Sequence, residues 1–83
     1  MADEPIHVRI NSPEKIIWEG NANSISSENA KGPFDILPFH TNFVSIIRDK
    51  EIRVKSNGKV ETFKFPVSVL SAHSNTVYIY TNI

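Results

Sequence analysis

The 83-residue sequence has no cysteine and only three glycines. Without thiols there is neither a disulfide nor a thiolate metal site, so the fold must rest on its core alone. Gly20, Gly32 and Gly58 lie far apart, whereas a phosphate-cradling loop needs its glycines clustered. A surplus of charge is missing as well: nine Lys and Arg balance nine Asp and Glu. Affinity for nucleic acid depends on such a surplus, so that class of partner is excluded. The longest uncharged stretch, Phe65 to Ile83, is interrupted by Ser, His and Asn. It falls short of the roughly 18–20 consecutive apolar residues that a spanning helix needs, and no direct membrane insertion is expected. The N-terminal MADEPIHVRI opens with acids and has no apolar core. It does not read as a signal peptide, which makes the cytoplasm the default location.

What is there is a period of two. Ile6, Val8 and Ile10 alternate with His7, Arg9 and Asn11, the signature of a half-buried strand. Asn11-Ser12-Pro13 breaks that strand, because a proline biases its predecessor away from helix. EKIIWEG reads as a second strand closed by Gly20, and a third centres on Ile25. Residues 27–33 read as a polar loop, followed by a short apolar strand that Pro38 ends. Along NFVSIIR, Phe43, Ser45 and Ile47 share one side, with Val44 and Ile46 on the other. In KEIRVK, Ile52 and Val54 point in while Glu51, Arg53 and Lys55 point out. Asn57-Gly58 is a strong hairpin signal. Phe63 and Phe65 share a face of the returning strand, and VSVLSA and TVYIYT form a last pair turning near His73-Ser74-Asn75. No helical period extends over ten residues. About eight to ten short strands, whose apolar faces need cover, predict an all-β chain: a two-layer antiparallel β-sandwich in one domain, residues 1–83.

Residues with chemistry are present but scattered. His7, His40 and His73 lie at no metal-motif spacing, and three separate strands would have to converge to make a zinc site. Ser45, His40 and Asp35 can be assembled on paper into a nucleophilic set, yet serines are plentiful and there is no G-x-S-x-G elbow. A small β domain also has little depth for a pocket that excludes water. The chain therefore reads as no enzyme, with no cofactor and no metal. Arg48, Lys50, Arg53, Lys55, Lys59 and Lys64 are interleaved with Asp49, Glu51 and Glu61, an ordinary strand surface or a handle for an acidic partner. Trp18, the single tryptophan, reads as a core or rim aromatic. The stretch GPFDILPFH, Gly32 to His40, reads as a rigid corner. Pro38 ends a strand, Ile36 and Leu37 anchor it in the core, and the neighbours of Pro33, Phe34 and Phe39 present a face, as interface anchors do.

That stretch resembles a pattern of the epsilon subunit of F-type ATP synthases (delta in mitochondria), G-x-h-G-I-L-P-x-H-x-P with h apolar. Gly32, Phe34, Ile36, Leu37, Pro38 and His40 fall in register. A second block agrees: an alternating strand, then Ser12-Pro13-Glu14, then Gly20. The hairpin around Asn57-Gly58 and the closing strand NTVYIY match more loosely, and together the matches cover nearly the whole chain. Three departures stand out. Asp35 replaces a glycine, Asn42 a proline, and Val67-Ser68 a Gly-Gly pair before the penultimate strand, where an edge must then be built differently. The family's C-terminal helical hairpin has no counterpart within the 83 residues. The resemblance implies a ten-stranded sandwich of two five-stranded sheets and a non-catalytic central-stalk role. Such a module docks on the gamma subunit and the c-ring, coupling rotation to ATP synthesis, and lies peripheral to the inner membrane. It further implies that Ala30, Lys31, Gly32, Pro33 and Phe34 meet the ring and that His40 lies near the gamma contact. The alternative is a free-standing protein-interaction module that kept the sandwich and left the rotary complex.

Overall fold

The computed structural model describes residues 5–39 and 42–82. These form nine strands: β1 (Ile6–Asn11), β2 (Ile16–Ala22), β3 (Ser24–Asn29), β4 (Gly32–Ile36), β5 (Phe43–Arg48), β6 (Glu51–Ser56), β7 (Lys59–Lys64), β8 (Val67–His73) and β9 (Thr76–Thr81). A five-stranded sheet in the order β2-β1-β9-β8-β5 packs on a four-stranded sheet in the order β4-β3-β6-β7. The expected sandwich is there, with one strand fewer among the described residues than two five-stranded sheets would require. Neighbouring strands run antiparallel except β1 and β9, which pair in parallel from His7–Thr76 to Asn11–Tyr80.

The period of two sets the layers. Ile6, Val8 and Ile10 of β1, Ile52 and Val54 of β6, and Val77 and Ile79 of β9 are each at most 1% exposed. Ile25, Ile36, Ile47 and Leu70 complete an almost wholly aliphatic centre. The aromatic rings close its sides. Phe34 meets Phe43 at 5.1 Å between centroids, and Trp18 meets Phe63 at 6.2 Å. Trp18 is therefore a rim aromatic.

Two tight turns follow directly from the sequence. Asn57 and Gly58 take φ of +50° and +81° and join β6 to β7; Ser74 and Asn75 take +48° and +62° and join β8 to β9. Paired positive φ values give a two-residue hairpin its matching twist.

Four expectations change. Gly20 does not close β2 but lies inside it, opposite Val8. It is there for room: a Cβ on Gly20 would sit 2.9 Å from Cη2 of Trp18, whose indole folds back over it. The stretch 27–33 is mostly strand, with only Ala30 and Lys31 between β3 and β4. Leu37 is 45% exposed, so Ile36 alone anchors the corner in the core. Finally, β8 is an interior strand, where Val67-Ser68 pairs regularly with Arg48 and Ile47 of β5.

Candidate protein-docking site

The two stretches singled out by sequence lie at opposite ends of β4. Ala30 and Lys31 form the tip of the β3–β4 hairpin, with Gly32, Pro33 and Phe34 on its return strand. Leu37 and Phe39 begin the corner that leads to β5. From Gly32 to Ile36 the chain covers roughly 13 Å at about 3.3 Å per residue. Tip and corner are thus separate surfaces. His40 lies outside the described residues.

The tip is held from within. The side-chain oxygen of Asn29 accepts the backbone N–H of Lys31 at 2.8 Å, closing the turn. Its amide nitrogen donates to Ser45 Oγ at 2.9 Å, tying the hairpin to β5 of the other sheet. Gly32 takes φ +122°, a conformation open in practice to glycine. Ser27 donates to the carbonyl of Glu51 at 2.8 Å, where β3 parts from β6. Behind the tip, Phe34 turns its ring onto Phe43 and Pro33 stays exposed.

The corner is held by Asn75 in the β8–β9 turn. Its side-chain oxygen accepts the Phe39 N–H at 2.7 Å, and its amide donates to the Pro5 carbonyl at 3.2 Å. The His7 N–H donates to the Asn75 carbonyl at 3.0 Å. One residue thereby gathers three chain segments. Phe39 has φ +66° and is 63% exposed. A bulky side chain in this backbone region is strained and persists where its surroundings enforce it. With Leu37 it presents apolar surface on a fixed frame.

Other candidates are not brought together. Asp35 accepts the hydroxyl of Ser26 on the outer face of the β3–β4 hairpin, while Ser45 faces the interior toward Asn29. His7 shares the carboxylate of Glu19 with Arg9, at 3.1 and 3.3 Å. His73 ends β8 and bonds Asn42 at 2.9 Å. Among the described residues no three His, Asp or Glu side chains gather as metal ligands would. The interleaved charges partly pair: Arg53 with Glu51 at 3.5 Å and Lys64 with Asp49 at 3.9 Å.

Two of the departures from the family pattern are compensated locally. Asp35 gains a cross-strand bond to Ser26, and Asn42 gains His73. Asn29 and Asn75, which hold the two surfaces, escaped the sequence reading. The signal for Asn29 was an asparagine two residues before the tip lysine, suited to an Asx turn. No local signal marks Asn75 as the tie to Phe39, because that contact is 36 residues away in sequence.

Residues 5–83 match the delta/epsilon chain β-sandwich domain of ATP synthase. An ATP synthase epsilon chain of Maricaulis maris is 37% identical over 59 residues, covering 71% of this chain and 44% of the relative. A chloroplastic epsilon chain of Bigelowiella natans is 25% identical over 79 residues, covering 93% and 58%. The chain thus spans about half the length of the curated relatives it matches. Among solved structures, a chain from the central stalk and c-ring of the Tetrahymena thermophila mitochondrial ATP synthase superposes with a TM-score of 0.76 at 12% identity. That match covers 98% of this chain and 66% of the other. A chain of the Euglena gracilis mitochondrial enzyme gives 0.85 at 16%, covering 93% and 50%. At such identities the likeness is one of fold.

Proposed function

Because this chain belongs to the ATP synthase delta/epsilon β-sandwich family over residues 5–83, we propose that it is a non-catalytic central-stalk module of a proton-translocating F-type ATP synthase. It docks on the gamma subunit and rests on the c-ring, passing rotation to the catalytic head for ATP synthesis. It lies on the cytoplasmic side, peripheral to the inner membrane through the complex. No helix of the described residues is long and apolar enough to cross a membrane itself.

The observation that carries this reading is the pair of separate, internally braced surfaces at the two ends of β4. A module placed between two partners needs two such faces, each fixed before docking so that little conformational freedom is lost. The hairpin tip, Ala30, Lys31, Gly32, Pro33 and Phe34, is assigned to the c-ring. The corner with Leu37, Phe39 and His40 is assigned to gamma.

The test is titration calorimetry against the gamma subunit of the same organism. One-to-one binding at micromolar Kd or tighter is expected, and it should be lost when Phe39 and His40 are replaced by alanine. Lys31→Glu should weaken association with the ring and leave gamma binding intact. No gamma binding at about 100 μM, where a free energy near −5.5 kcal/mol would register, would reject the reading.

A further inference from the structure

Four strands form the edges of the two sheets, and three of them carry features that discourage a further strand. β2 has a bulge where its register slips opposite Ile10 and Asn11. β4 contains Pro33, which has no N–H to donate. β7 sets Lys59, Glu61 and Lys64 along its exposed length. Bulges, prolines and charges are the means by which proteins keep sheet edges from pairing with other chains. β5 has neither bulge nor proline, and its one charge, Arg48, stands at its end. Phe43 to Ile47 carry no charge and no proline, and β5 pairs with β8 in unbroken register from Phe43–Ala72 to Arg48–Val67. Its outward residues Val44 and Ile46 are 69% and 50% exposed. Among the described residues, β8 is its only strand neighbour.

The space beside this edge is shaped. A depression of about 370 Å³ lies between Glu28, Asn29 and Ala30 of the hairpin and Ile46, Arg48 and Lys50. Asn29 reaches the inward-facing Ser45 from the other sheet, and Glu28, Asn29 and Ala30 wall the depression on that side. Arg48 and Lys50 outweigh Glu28 in its lining, so the depression suits a segment that carries a carboxylate.

We propose that β5 receives an extended segment of a partner polypeptide as a sixth strand of its sheet, lying beside Glu28, Asn29 and Ala30 and leaving Lys31 free. This rests on the stalk reading, which makes the gamma subunit that partner. The edge starts beside the corner, where Asn42 bonds His73, and ends beside the tip, so an added strand would connect the two surfaces. The segment carries apolar residues at alternate positions to cover Val44 and Ile46, and a carboxylate that meets Arg48 and Lys50. Main-chain bonds supply affinity and the alternate side chains supply choice of partner.

The experiment is amide hydrogen exchange of this chain, free and bound to the gamma subunit of the same organism. In the complex, the alternate β5 amides not bonded to β8 should exchange at least tenfold more slowly. The Val44→Glu, Ile46→Glu double variant should bind at least tenfold more weakly with an unchanged melting temperature. Val60→Glu, on the similarly exposed outer face of β7 (53%), should bind as the parent does. Gamma binding without protection of β5, or undiminished binding by the double variant, overturns strand addition and leaves the stalk role standing. No gamma binding by the parent chain overturns both.

Discussion

The Asn29 amide donates to Ser45 Oγ at 2.9 Å and joins the two sheets across the interior of the sandwich. Asn29 ends β3, and Ser45 lies midway along β5, a position an aliphatic residue would fill by default. An inward serine at 8% exposure has a cost unless its hydroxyl is bonded. The pair therefore trades apolar burial for a fixed hairpin tip. Asn29→Ala should remove about 1–3 kcal/mol of stability, the range for stranding a buried polar partner. It should also speed hydrogen exchange at Ala30 and Lys31 beyond what global destabilisation explains. Asn29→Asp, which still accepts from the Lys31 N–H and from the Ser45 hydroxyl, should restore most of the protection. If exchange at the tip is unchanged in Asn29→Ala, this tie does not set its rigidity.

Gly20 and Trp18 predict a spectroscopic change. The indole covers Gly20 so closely that a Cβ would lie 2.9 Å from Cη2 and 3.1 Å from Cζ2. Gly20→Ala must push the ring aside, and the ring is also packed against Phe63. Overpacking of this kind costs about 1–3 kcal/mol, offset in part by the lower backbone entropy of alanine in the unfolded chain. A net loss of about 1 kcal/mol is expected in denaturant titration. Trp18 is the sole tryptophan, so its emission should shift to longer wavelength in the folded variant as the ring gains solvent. A variant as stable as the parent with unchanged emission would show that the indole has another place to go.

Most of the architecture was legible because alternation is a local property. Ile6, Val8 and Ile10, or Ile52 and Val54, reveal their buried face within five residues, and Asn57-Gly58 names its own turn. What stayed hidden depends on distant partners. The parallel pairing of β1 with β9 joins residues some seventy positions apart. Gly20 looked like a strand end because its reason for being glycine is the folded-back indole of Trp18. Leu37 looked like core beside Ile36, yet strand alternation puts neighbours on opposite faces and only Ile36 faces inward. Of the candidate site, the corner begins within GPFDILPFH, whereas the tip at Ala30 and Lys31 lies just before it and was implied by the family resemblance alone. Asn29 had a local signal only for its own turn with Lys31; its bond to Ser45, and that of Asn75 to Phe39, join residues that meet only in the fold.

Ser68 is the departure from the family pattern that no bond compensates. It is fully buried in β8, and its hydroxyl has no hydrogen-bond partner. Next to it, Thr81 is also fully buried but donates to the Val67 carbonyl at 3.3 Å. An unbonded buried hydroxyl costs about 1–3 kcal/mol by mutational measures. Ser68→Ala removes that cost while keeping a Cβ in the strand, so it should raise stability by about 1 kcal/mol. Ser68→Gly also removes the hydroxyl but adds unfolded-state entropy of roughly 0.5–1 kcal/mol and empties space in an interior strand. It should be less stable than Ser68→Ala by about that amount. Thermal denaturation of the parent and both variants gives the order directly. Alanine above the parent, with glycine below alanine, would mean that Ser68 is tolerated in the core without contributing to it. Alanine below the parent would mean that the hydroxyl is satisfied in solution by a buried water, and Ser68 would then join Ser45 and Thr81 as a bonded polar group in the core.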